Sequence, residues 1–174
     1  MPGIARLAGP ILKMGKMGWG WGKTLKTLGI SAALHWGIWG TVGLAVVVGI
    51  FFHELGHYVA CRLLGVPASA PVFLPLGGAF VEHLPTTPDS EALIAAAGPF
   101  SGALAGLLLL PIVPHGAAWN AILQLANLIP IPPLDGSKVL RGLRYPSLHS
   151  LSALGLAALT VPLCAVQILA LVHR

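Results

Sequence analysis

The chain has 174 residues, with 10 Lys and Arg against 5 Asp and Glu; 56% of it is hydrophobic and 9% charged. A soluble domain carries about 25% charged residues, so too few remain here to coat a water-facing surface, and the mean hydropathy of +0.85 excludes a soluble globular domain. Cys61 and Cys164 both sit among apolar neighbours and make no disulfide framework. The net charge of +5 does not point to nucleic acid either, because the cations flank apolar runs, where a membrane orientation rule accounts for them.

In chain order, residues 1–26 are basic with interspersed Gly, Met and Trp, and read as a cytoplasmic or interfacial tail held by anionic lipid headgroups. They are too long and too charged for the leading region of a signal peptide. Runs without Asp, Glu, Lys or Arg then cover 27–53, 92–134 and 145–173. One crossing needs about 20 apolar residues. The first run, continued to Leu64, is long enough for two short spans, 27–40 and 41–64, hinged near His35–Gly40. The middle run gives two more, 92–112 and 117–133, around a turn rich in breakers at Pro111–Asn120. The last gives one, 148–172. Between the second and third spans, Pro67, Pro71, Pro75, Pro85 and Pro88 exclude a long helix. Within that stretch, 71–81 reads as two short apolar strands around Gly77-Gly78. Backbone so apolar and non-helical must be shielded by protein or line a wet cavity. The expectation is an all-α multi-pass membrane protein of one domain, 27–174. It has about five transmembrane helices and a β-hairpin, at about 70–84, that dips back into the membrane. With the N-terminus inside, nine of the ten cations are cytoplasmic and only Arg174 is outside, as the positive-inside bias requires.

The acids carry the chemistry. Glu82, Asp89 and Glu91 lie in or beside the polar connection, whereas Glu54 lies inside the second span and Asp135 ends the fourth. An ionisable group within a span marks a functional site by default. Glu54 belongs to His53-Glu54-Leu55-Gly56-His57, a His-Glu-x-x-His pattern. At four-residue spacing both histidines leave one face of a helix and can grip one ion, with Glu54 beside them able to take a proton from an attacking water. Two core histidines bonded to backbone are the alternative, but three polar side chains in an apolar span would each need a burial partner. A catalytic zinc usually takes three protein ligands. His35, His83, His115, His149 and His173 could supply the third on chemistry alone. Asp135, after the helix-ending Pro130, Pro132 and Pro133, could supply it too, or could instead cap the helix that follows.

His53-Glu54-Leu55-Gly56-His57, followed by Asn127-x-x-Pro130-x-Pro132-x-Leu134-Asp135-Gly136, resembles the site-2 protease family of intramembrane zinc metalloproteases. Gly77-Gly78 and Ala97-Gly98-Pro99 are similar to that family as well, and the resemblance covers roughly residues 40–145. It implies one zinc ion per chain held by His53, His57 and Asp135, with Glu54 as catalytic acid and base. It further implies that Asn127 helps to hold the substrate strand. The substrate would be a transmembrane segment of another protein, unwound and laid against the edge of the hairpin that carries Gly77 and Gly78. The likeness is to compact members expected to lack PDZ and CBS modules. The setting is the cell membrane, with the N-terminus and the active-site side cytoplasmic, and the partners are bilayer and substrate rather than nucleic acid. A divalent-metal transporter or sensor with the same ligands is the rival reading, but transport wants ionisable groups along a continuous path, and here they cluster at one depth. A reporter fused to Met1 should report from the cytoplasmic side; a signal from the outer side overturns the topology.

Overall fold

In the computed structural model, which describes residues 20–173, the first helix, α1, runs Gly20–Leu63. Straight, its 44 residues would reach about 66 Å, twice the ~30 Å of a bilayer's hydrocarbon core. Gly40 breaks it, with φ 58° and ψ −135°, a conformation open to glycine alone, and the chain turns back there. Trp21 and Tyr58, which a straight helix would hold about 55 Å apart, pack edge to face with ring centroids 5.5 Å apart. Just beyond the break, a Cβ on Gly43 would strike the His35 carbonyl. The two arms, 20–39 and 41–63, therefore close on each other as an antiparallel pair. The first arm begins inside the basic segment, and residues 1–19 of the expected tail lie outside the described residues.

The second arm ends at Gly65, whose φ of 68° allows Val66 N–H to reach the Cys61 carbonyl at 2.8 Å and Gly65 N–H the Arg62 carbonyl at 3.2 Å, a Schellman cap. Strands β1, Val72–Leu74, and β2, Gly78–Phe80, then pair antiparallel with Phe73 opposite Ala79. The turn is Pro75-Leu76-Gly77, and Gly78, at φ 86°, already belongs to β2. The first arm of α1 covers one edge of this ribbon: Thr24 Oγ1 donates to the Pro71 carbonyl at 2.6 Å, and Phe73 N–H donates to Thr27 Oγ1 at 3.2 Å.

Helix α2, Pro88–Leu109, opens four residues before the charge-free run, with Pro88 in its first turn and Asp89 and Glu91 facing the positive end of its dipole. Helix α3, Pro114–Asn127, starts earlier than the expected turn allows and takes in Asn120. Its 14 residues reach only about 21 Å. After a proline-rich loop come α4, Asp135–Gly142, and α5, Leu148–Val172, the latter opened by a reciprocal Ser147–Ser150 capping box. Among the described residues, α1, α2 and α5 are long and apolar enough to cross a membrane. α2 is central, packing on α1, α3, α4 and α5. Its buried face is made of small residues, Ala92, Ala95, Ala96, Ala103 and Ala105 among them, which is how helices approach one another closely where lipid supplies no hydrophobic drive.

The reversal at Gly40 has a direct check. In a Cys61→Ser, Cys164→Ser background, the pair Trp21→Cys and Tyr58→Cys should be joined within one chain by a short bis-maleimide, read by mass spectrometry. Labelling of both positions without a cross-link would mean that the arms do not fold back.

Candidate metal centre

His53, Glu54 and His57 project from the second arm of α1, and Asp135 is the first residue of α4. Between α3 and α4 the chain doubles back through Leu128–Leu134, held by Ile131 N–H on the Ile129 carbonyl at 2.8 Å and Leu134 N–H on the Ile131 carbonyl at 2.9 Å. The return is tight, since a Cβ on Gly136 would overlap the Leu128 carbonyl. Leu134, not Asp135, occupies the cap position, and no side chain caps the helix. The Asp135 carboxylate instead faces the histidines: its Oδ2 lies 3.1 Å from His53 Nε2 and 3.3 Å from His57 Nε2. The two Nε2 atoms are 3.0 Å apart. His53, Glu54 and Asp135 are buried and His57 is half-buried.

The other ring nitrogens settle what those atoms present to one another. His57 Nδ1 is 2.8 Å from the Ile94 carbonyl, and a carbonyl only accepts, so Nδ1 carries the hydrogen and a neutral His57 has its lone pair at Nε2. His53 Nδ1 is bonded likewise, 2.7 Å from Gln124 Oε1. Two imidazole lone pairs and a carboxylate oxygen thus converge on one point, a repulsive arrangement unless a cation sits among them. The spacing fits zinc: bonds of ~2.0–2.1 Å in tetrahedral geometry set ligand atoms about 3.3 Å apart. Glu54, the next residue, brings a carboxylate oxygen within 4.8 Å of both histidine donor atoms.

His53, Glu54 and Asn127, with Gly77 and Gly78 of the hairpin, line a cavity of about 600 Å³. Asn127 Nδ2 donates to the Leu123 carbonyl at 3.0 Å. The residues that the family resemblance singled out therefore lie in one place, His53, His57 and Asp135 at the convergence point and Glu54, Asn127, Gly77 and Gly78 on the cavity. The remaining histidines have other partners or positions. His35, on the cavity wall, is 2.8 Å from the Ser31 carbonyl. His83 lies 3.6 Å from Glu91 and His149 3.5 Å from Asp89, while His115 and His173 are at helix ends. Sequence reasoning passed over Gln124 and placed Asn120 in a turn. Both are buried polar groups inside a charge-free run, four residues apart, and that spacing on one helical face was the available signal.

Residues 41–116 match the family described as peptidase family M50. Zinc metalloprotease MJ0392 of Methanocaldococcus jannaschii is 28% identical over 130 residues, 67% of this chain and 38% of that protein. Rip3 of Mycobacterium tuberculosis, provisionally named a zinc metalloprotease, is 30% identical over 65% of this chain and 33% of its own length. MJ0611 of Methanocaldococcus jannaschii, named in the same provisional way, is 30% identical over 56% of this chain and 68% of its own length. The chain thus spans little more than a third of MJ0392 and a third of Rip3. No solved structure matches it. On the family match and the identity to MJ0611, the chain belongs to peptidase family M50, the site-2 protease family of zinc metalloproteases.

Proposed function

We propose that the chain is an intramembrane zinc endopeptidase, cutting a peptide bond in or near a transmembrane segment of another membrane protein. The observation that carries this is the convergence of His53 Nε2, His57 Nε2 and Asp135 Oδ2 within 3.3 Å of one another, beside an acid that opens on a cavity. Those three residues would hold one zinc ion, which when bound would supply Lewis acidity, lowering the pKa of water toward ~7 and polarising a carbonyl. Glu54 accepts the proton of the attacking water and passes it to the leaving amide nitrogen. The Asn127 side chain, on the cavity wall, is suited to hydrogen-bond substrate backbone or the developing oxyanion.

The hairpin offers the substrate a strand edge. Phe73 N–H points to Thr27, away from β2, so its opposite number Ala79 also turns its N–H and C=O outward, on the far edge. Ala79, Gly77 and Gly78 all line the cavity. A transmembrane helix hides its amides in its own hydrogen bonds, so the cut segment must unwind, and an unwound segment can be held by β-augmentation. His57 is six residues before the end of α1, about 9 Å at ~1.5 Å per residue, which supports chemistry below the membrane surface. Counting both arms of α1 and α3 as crossings gives five spans with a re-entrant hairpin, and the cation distribution supports a cytoplasmic N-terminus and active-site side.

Three outcomes test this in detergent-purified protein. Glu54→Gln should keep its zinc while cleavage of a single-span peptide falls by about 10³-fold; undiminished turnover removes Glu54 from the mechanism. His53→Ala, His57→Ala and Asp135→Ala should each lose zinc, and chelation of the wild type should abolish cleavage until zinc is returned. Zinc movement into liposomes without peptide cleavage would favour the transporter. Ala79→Pro deletes an N–H on an open edge, a change the ribbon itself tolerates, and should cut cleavage by about tenfold or more, the worth of one hydrogen bond or more, with zinc content unchanged.

A further inference from the structure

A buried line of amides ties His53 to the backbone of α2. His53 Nδ1 is 2.7 Å from Gln124 Oε1, Gln124 Nε2 donates to Asn120 Oδ1 at 2.8 Å, and Asn120 Nδ2 donates to the Gly102 carbonyl at 2.8 Å. The last bond dictates the direction of all the others. A backbone carbonyl only accepts, so Asn120 must give it the amino group and turn Oδ1 to Gln124. Gln124 must then spend its amino group on Asn120 and offer Oε1 to His53. His53 is left with its hydrogen on Nδ1 and its lone pair on Nε2. Flipping Asn120 would set like against like at both of its ends, and flipping Gln124 would do so at its Asn120 end, where Gln124 is 1% and Asn120 0% exposed and an unmade hydrogen bond is costly.

Glycines make the room. Gly98, Gly102 and Gly106 recur every fourth residue along one face of α2. A Cβ at Gly98 would overlap the His57 ring, one at Gly102 the Gln124 amide, and one at Gly106 both Asn120 and Gln167. On the opposite side, a Cβ at Gly49 of α1 would overlap Asn120. Gln167 of α5 enters the same groove, fully buried, but its amino group goes to the Ala103 and Leu163 carbonyls at 2.9 and 3.0 Å, and it takes no part in the line to His53.

We infer that Gln124 and Asn120 are positioning residues for the metal centre. Anchored on the Gly102 carbonyl, they hold His53 in the tautomer that aims Nε2 at His57 and Asp135, and Asn120 thereby governs a ligand it does not touch. His57 receives the same instruction directly, from the Ile94 carbonyl. This rests on the reading of His53 as a zinc ligand, and outer partners of ligating histidines characteristically set both ring orientation and ligand basicity.

The test is zinc affinity of the purified full chain, measured by competition with a chromogenic chelator. Gln124→Met keeps the length of the side chain and deletes the acceptor, and should weaken zinc by about 10- to 100-fold. Asn120→Leu removes the anchor, lets Gln124 turn, and should weaken it less. Gln167→Met deletes an equally buried amide from the same groove and should leave affinity unchanged. Equal loss in Gln124→Met and Gln167→Met, or no loss in Gln124→Met, overturns the inference. Should Gln124→Met fail to fold, the ¹⁵N spectrum of zinc-loaded wild type decides. An exchange-protected His53 Nδ1–H is expected, and a ring bound to metal through Nδ1 overturns the inference. His53→Ala separates the two layers: zinc retained there sinks the ligand assignment itself, whereas zinc lost there but not in Gln124→Met sinks only the relay.

Discussion

In a chain this poor in charge, a buried polar atom is costly unless it meets a partner of the right kind in the right direction, and the geometry of the candidate metal centre answers to that constraint. Each histidine of the His53–His57 pair has one nitrogen already committed to an acceptor, the Ile94 carbonyl for one and Gln124 Oε1 for the other. Both must then show a lone pair at Nε2, and the helical spacing of four residues points both lone pairs the same way. Asp135 adds a third acceptor to the same point. Three convergent acceptors repel one another unless a cation or a donated hydrogen sits among them. The arms that fold back at Gly40, the doubled loop before Gly136 and the groove along α2 all serve to bring those acceptors together.

The hairpin obeys the same rule with the opposite result. A two-stranded ribbon has two raw edges. The first arm of α1 satisfies one of them, with Thr24 and Thr27, three residues apart on a helix, standing in for a neighbouring strand. The other edge, at Ala79, lies on the cavity wall. One satisfied edge and one open edge give the ribbon a polarity, and the open edge is on the cavity that Glu54 also lines.

The candidate residues stood out in the sequence for different reasons: His53, Glu54 and His57 fall within five residues, whereas Asp135, after its run of prolines, was open between ligand and helix cap and was singled out by the family resemblance. The reversal in α1 was legible too, as a run too long for one crossing with Gly40 in its middle. Element limits were less so, for identifiable reasons. Charge-free counting started the third helix at 92, although Asp89 and Glu91 are welcome in its first turn, where the dipole favours acids. It carried the fourth to 133, although Pro130 disfavours helix at the residue before it, and α3 ends at Asn127. The amide line was hidden because its meaning lies between elements. Asn120 and Gln124 are two ordinary polar residues until α2 places a carbonyl and a glycine slot against them.

α2 holds none of the candidate ligands, yet the orientation of both histidines ends on it, at the carbonyls of Ile94 and Gly102. A backbone carbonyl inside a helix does not rotate, does not titrate and cannot be replaced by substitution, so it is the most rigid acceptor a protein can offer. The cost is space, since a side chain must come close enough to a helix backbone to reach such a carbonyl. Gly98 and Gly102 remove the atoms that would keep His57 and Gln124 away. The small-residue spacing that brings helices close in a membrane also admits polar side chains to the backbone here. Packing of α2 and orientation of His53 and His57 are thus one property of the same face.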